Sequence, residues 1–186
     1  MKNLNKFATP VAAALIALVW SANYSPASAY RRVARGQYGA ATAYANQGEY
    51  GSRMGARALG QNAGGGFRAG QYAGPNGGSA QGAGAFGYKR GVGAFHQGGW
   101  SGQGPNGGTA AGSSKMNYNA QTGTGTSASQ AQGTNASGQH YGYTGNTNFE
   151  KGQGSQSVVQ TDNHGTYDVD LQKGSKPVVT NTPSSN

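Results

Sequence analysis

The 186-residue chain carries 14 basic and 5 acidic side chains, 35 glycines and no cysteine, which excludes a fold framed by disulfides. An ordinary globule is excluded as well. Past residue 29 the large aliphatics are Val33, Leu59, Val92, Val158, Val159, Val169, Leu171, Val178 and Val179, each worth about 1.5–3 kcal/mol on burial, against about 1–2 kcal/mol for every ordered backbone residue. What remains is disorder, or a flat repetitive β structure in which backbone hydrogen bonds and stacked rings replace a core.

The first element, residues 1–29, reads as an export signal. Lys2 and Lys6 give a positive start, and residues 11–20 (VAAALIALVW) form an unbroken apolar run. Ten residues are too few to span a bilayer, which takes about 20. Ala27-Ser28-Ala29 supplies the small-x-small pattern of a cleavage site, so the cut is expected between Ala29 and Tyr30. The competing reading is an uncleaved anchor held by Arg31, Arg32 and Arg35 just beyond it. The signal itself is expected to be helical.

Residues 30–65 read as a basic, flexible arm in which Tyr38, Tyr44 and Tyr50 recur six apart among Ala, Gly and Arg; the alternative is an extended segment, whose even spacing sets all three on one face. Charge is uneven along the chain. Residues 30–95 hold eight basic side chains against Glu49, a net of +7, whereas residues 96–186 hold four lysines against four acids. A basic front with interleaved rings suits an anionic polymer, because guanidinium groups neutralise anions while rings stack. The candidate contacts are Arg31, Arg32, Arg35, Arg53, Arg57 and Arg68.

Residues 66–174 carry an internal repeat. Gly-Pro-Asn-Gly-Gly occurs at 74–78 and again at 104–108, a shift of 30 that also sets Phe86 on Met116 and Tyr88 on Tyr118. A fainter third copy starts at Gly133 and is followed by Tyr141 and Tyr143. The turn chemistry explains the recurrence. Pro75 and Pro105 fix φ near −65° at the first corner, Asn76 and Asn106 suit the second, and Gly77 and Gly107 take φ > 0. This predicts a type I turn closed by a glycine bulge. Residues 119–123 and 162–165 offer further polar turns. Turns roughly every fifteen residues predict a meander of strands about 7–10 residues long.

Period-two spacing puts Phe86 with Tyr88, Met116 with Tyr118 and Tyr141 with Tyr143 on one strand face each. These six are the candidate assembly face. Tyr167, Val169 and Leu171 alternate in the same way with Asp168 and Asp170. The fold class predicted is therefore mainly β: a repetitive antiparallel meander of hairpins between a disordered arm and a disordered tail at 175–186, in which Val178 and Val179 are the residues offered for pairing at a sheet edge. The alternative is a disordered low-complexity chain throughout.

Catalytic and cofactor motifs fail on context. Residues 82–87 match GxGxxG, but an apolar strand before it, a helix after it and an acid about 20 residues on are missing. His96, His140 and His164 have no zinc spacing, and Asp168 with Asp170 give a hard cation too few oxygens. The expectation is a non-enzyme with no cofactor, no metal and no small-molecule substrate.

The GPNGG-Ser/Thr segments and the turn at 118–123 resemble exported bacterial proteins rich in Gly, Asn, Ser and Thr. The resemblance covers roughly residues 65–145 and implies a periplasmic, cell-surface or extracellular location without a particular activity. Residues 129–139 (SQAQGTNASGQ) share the Gln/Asn/Gly flavour of curli-type amyloid subunits, although the repeat here is 30 residues. The functional expectation is an exported structural or adhesive surface or matrix protein that associates with itself. The alternative is a secreted module binding envelope polysaccharide or extracellular DNA through its basic half.

Overall fold

The computed structural model describes residues 29–183; the export signal read at 1–29 lies outside the described residues except for Ala29, the first residue of the first strand. Twelve antiparallel strands follow one another in chain order in a single sheet. They are β1 (Ala29–Gly36), β2 (Gly39–Gly48), β3 (Gly51–Gly60), β4 (Ala63–Ala73), β5 (Ser79–Lys89) and β6 (Gly93–Gln103), then β7 (Thr109–Asn119), β8 (Thr124–Thr134), β9 (His140–Glu150), β10 (Gly154–Thr161), β11 (Gly165–Gln172) and β12 (Val178–Thr182). β1 and β12 form the two outer edges. Among the described residues no apolar side chain is buried. The meander predicted from the turn chemistry is the fold.

The turns show why it forms. In the loop at 74–78 the Gly74 amide donates to the Gly78 carbonyl at 2.6 Å, and the Gly77 amide to the Gly74 carbonyl at 3.2 Å. The loop at 104–108 repeats both bonds at 2.7 and 3.1 Å. Gly77 and Gly107 have φ of 84° and 87°, the left-handed bulge position that closes a type I turn. The second glycine of each pair has a different reason. A Cβ on Gly78 would lie 3.3 Å from the Pro105 ring, and one on Gly108 3.0 Å from the Thr134 carbonyl. Successive loops on this end of the sheet therefore pack against one another, and a glycine stands where each meets the next.

The third loop is residues 135–139, with Gly138 at φ 81°. Here Asn135 replaces the leading glycine, and its Oδ1 accepts from the Ser137 amide at 3.0 Å and the Gln139 amide at 2.9 Å. At the opposite end Asn119 does the same for the Gln121 amide at 2.9 Å. A Gly107→Val substitution is expected to lower amide protection across β6 and β7. No atom lies within 4 Å of the new Cβ, so its whole cost, about 1–3 kcal/mol, comes from holding a β-branched residue at φ > 0. Unchanged protection would show that this turn does not set the hairpin.

The structure departs from the sequence expectations in three places. Residues 30–65 are not a loose arm: they form β1, β2, β3 and the beginning of β4, joined by two-residue turns at 37–38, 49–50 and 61–62. Alternating Ala, Gly and long side chains pair as well there as in the repeat. Tyr38 and Tyr50 consequently sit in turns, and Tyr44 alone of the three lies within a strand. The tail is not loose throughout: Val178 and Val179 pair at the sheet edge, and Val178–Thr182 add a short strand to β11. Finally, the central strands β4–β9 each run to 11 residues, slightly longer than expected, because the ladder continues up to the glycine turns.

Candidate functional site

Side chains alternate between the two faces of a strand, and the register carries each face across the sheet. One face, the ring face, holds Tyr44, Tyr72, Phe86, Tyr88, Trp100, Met116, Tyr118, Tyr141, Tyr143, Phe149, Tyr167, Val169 and Leu171. The six residues singled out from the sequence all stand on it. They do not form one row, however. Phe86, Tyr88, Met116 and Tyr118 lie toward one end of β5 and β7, whereas Tyr141 and Tyr143 lie toward the opposite end of the sheet, beside the GPNGG loops. The third loop follows the second by 31 residues rather than 30. The partner of Tyr88 and Tyr118 in the third copy is therefore Phe149, which stacks on Tyr118 with ring centroids 6.1 Å apart and planes inclined by 13°. The one-residue insertion concealed it from a fixed-shift comparison.

Glycine placement makes the rings lie down. Tyr44 is directly opposite Gly55, Tyr88 opposite Gly64, Trp100 opposite Gly112 and Phe149 opposite Gly125. A Cβ at Gly55 would stand 2.7 Å from the Tyr44 phenol oxygen, at Gly64 2.6 Å from Cε1 of Tyr88, and at Gly112 2.8 Å from Nε1 of Trp100. At Gly125 it would overlap the Phe149 ring. Each ring thus covers backbone that its glycine leaves bare, the aromatic rescue of glycine in sheets. The Tyr88 ring crosses β4 altogether, and its hydroxyl donates to the Gly60 carbonyl of β3 at 3.0 Å. Though they rest on the sheet, the rings remain open to solvent; Trp100 is 52% and Tyr143 42% exposed.

The arginines divide by face. Arg31, Arg35, Arg53, Arg57 and Arg68 stand on the ring face. Arg32 points to the opposite face, where its guanidinium carbon lies 5.3 Å from the centre of the Tyr30 ring. Across the middle of the sheet Arg31, Tyr44, Gly55 and Arg68 are directly opposite one another on four successive strands. Arg53 and Arg57 flank Gly55 on β3. These four arginines and Tyr44 line a groove of about 750 Å³, which Phe86 and His96 also border. No carboxylate shares the ring face among the described residues. Glu49 and Asp162 are in turns, and Glu150, Asp168 and Asp170 belong to the opposite face. Glu49 is engaged by its neighbour, and that hydrogen bond raises the Tyr50 phenol above its ordinary value.

The opposite face is concave. Ala43, Met54, Ala56, Phe67, Ala85 and Phe95 line an open cavity of about 1780 Å³ that reaches from β1 to β9. Farther along, this face turns polar, with Gln81 donating to Ser101 at 3.3 Å and Thr109 bonded to Thr134 at 2.9 Å. Among the described residues no three His, Cys, Asp or Glu side chains are grouped to hold a metal ion, and no helix is long and apolar enough to cross a membrane. No family model, curated protein or solved structure matches the chain.

Proposed function

We propose that the chain is an exported, non-enzymatic structural or adhesive protein of the cell surface or extracellular matrix, and that it works by associating with copies of itself. One observation carries this reading: a twelve-stranded sheet has both faces uncovered, and its rings lie flat and exposed on one of them. Apolar area left open on this scale drives stacking onto a partner. The middle of the ring face carries Arg31, Arg68, Gly84, Gly98 and Ser114, where a bilayer-crossing strand carries apolar side chains. Water and another protein surface suit it better than lipid.

The edges favour the same outcome. With an even number of strands, β12 runs antiparallel to β1. A second copy added edge to edge therefore sets its β1 beside β12 with the alternation of direction preserved and like faces together. Such head-to-tail contacts build a ring where the rotation between copies closes and an open filament where it does not. Charge assists them. β1 brings Arg32 on the face that Asp168 and Asp170 of β11 share. Analytical sedimentation of the purified protein tests the reading, with assembly that grows with concentration as the expected result. A monomer at every concentration would remove it.

A further inference from the structure

The groove around Tyr44 has a chemistry that self-assembly does not use. Arg53 and Arg57, four residues apart on β3, are separated by about 13 Å at the backbone, and Arg31 and Arg68, three strands apart, by about 14 Å. The first pair lies along the strands and the second across them, so the four arginines stand on four sides of Gly55, over which the Tyr44 ring lies, and line one groove with it. That ring lies flat over Gly55, and Tyr44 remains 36% exposed. Every cation of the cluster is an arginine, whose planar fork matches carboxylate, sulfate and phosphate oxygens two at a time.

We infer that this groove is a binding site for an acidic polysaccharide, with a sugar ring seated on Tyr44 and its anionic substituents held by Arg31, Arg53, Arg57 and Arg68. Charge complementarity argues for the partner, since the face that bears these arginines carries no acid in any strand. The two-dimensional layout argues for a sugar over a nucleic acid strand. Single-stranded nucleic acid is held along a line, with phosphates tracking a groove and successive bases stacking on successive rings. Here one ring lies inside a circle of cations, which suits a sugar that carries anions around its own circumference. Sequence spacing alone groups Arg32 with these residues; the fold sends it to the other face.

Heparin, a sulfated polysaccharide, is the probe, and its retention of the purified protein is measured against salt. Four contacts give a log–log slope of about −3, an affinity loss of about sixtyfold between roughly 50 and 200 mM salt. Each single Arg→Gln substitution in the cluster is expected to reduce the slope by about one, and the fourfold variant to abolish retention while circular dichroism keeps its β signal. Arg32→Gln with Lys115→Gln, both on the opposite face, removes as much charge as two cluster substitutions and is expected to leave the slope unchanged. Equal loss from that control pair, or retention by the fourfold variant, overturns the site. Single-stranded DNA that displaces heparin at lower concentration than a competing soluble heparin also overturns it, and makes the groove a nucleic-acid surface. A protein that sediments as a monomer still gives the expected slope, so this result and the assembly result fail separately.

Discussion

Replacing Gly125 by alanine is expected to destabilise the sheet by about 1–3 kcal/mol, the usual range for forcing extra atoms into a filled position, or roughly 3–10 °C in melting temperature for a domain of this size. Strand propensity alone predicts the reverse, because alanine loses less backbone freedom than glycine on ordering. The ring decides the sign. A Cβ at Gly125 overlaps Phe149 and stands 2.8 Å from the Asn117 carbonyl, so it must lift Phe149 off both β8 and its stack on Tyr118. Gly36→Ala is the control. It has ordinary φ and no atom within 4 Å of the new Cβ, and is expected to be neutral or slightly stabilising, up to about 1 kcal/mol. Thermal unfolding followed by near-ultraviolet dichroism separates the two. If both substitutions shift the melting temperature alike, the rings do not rest on glycine.

Replacing Tyr88 and Tyr118 together by serine is expected to remove most of the self-association seen by sedimentation. Both rings are on the ring face, 37% exposed for Tyr88, and both are part of the row that runs from Tyr88 to Phe149. Each buried ring contributes about 1.5–3 kcal/mol to a contact, so losing two weakens a dimer by a hundredfold or more on the scale of about 1.4 kcal/mol per tenfold. Val179→Lys probes the edge separately. Val179 is 59% exposed in β12 on the ring face, and a lysine there would confront Arg31 and Arg35 of an incoming β1. Loss of filaments with retained face-to-face dimers is the expected outcome. Assembly indifferent to all three changes would mean that neither the rings nor the edges hold copies together.

Much of this was legible in the residues. The Gly-Pro-Asn-Gly-Gly loops announce a type I turn with a glycine bulge because proline and a positive-φ glycine leave the chain few other courses, and Gly77 and Gly107 adopt that geometry. Alternation placed Tyr167, Val169 and Leu171 on one face and Asp168 and Asp170 on the other, as the register has them. The absence of a core followed from nine aliphatics. These are local properties, fixed within a turn or along one strand.

The remaining features depend on register between strands, which no single segment encodes. Whether Arg68 stands beside Arg53 and Arg57 is decided by the two-residue turn at 61–62; one residue more would send it to the other face. The same counting hid Phe149 behind an insertion in the third copy, while the Ala, Gly and Arg composition of residues 30–65 reads as a loose arm until β1, β2 and β3 pair. Which glycine lies beneath which ring is likewise settled only when β7, β8 and β9 pair. The sequence by itself determined the turns, the alternation and the lack of a core, because those follow from backbone sterics and composition. The tertiary structure alone decided the flat-lying rings and the circle of arginines around Tyr44, because both are built from side chains that meet only across paired strands.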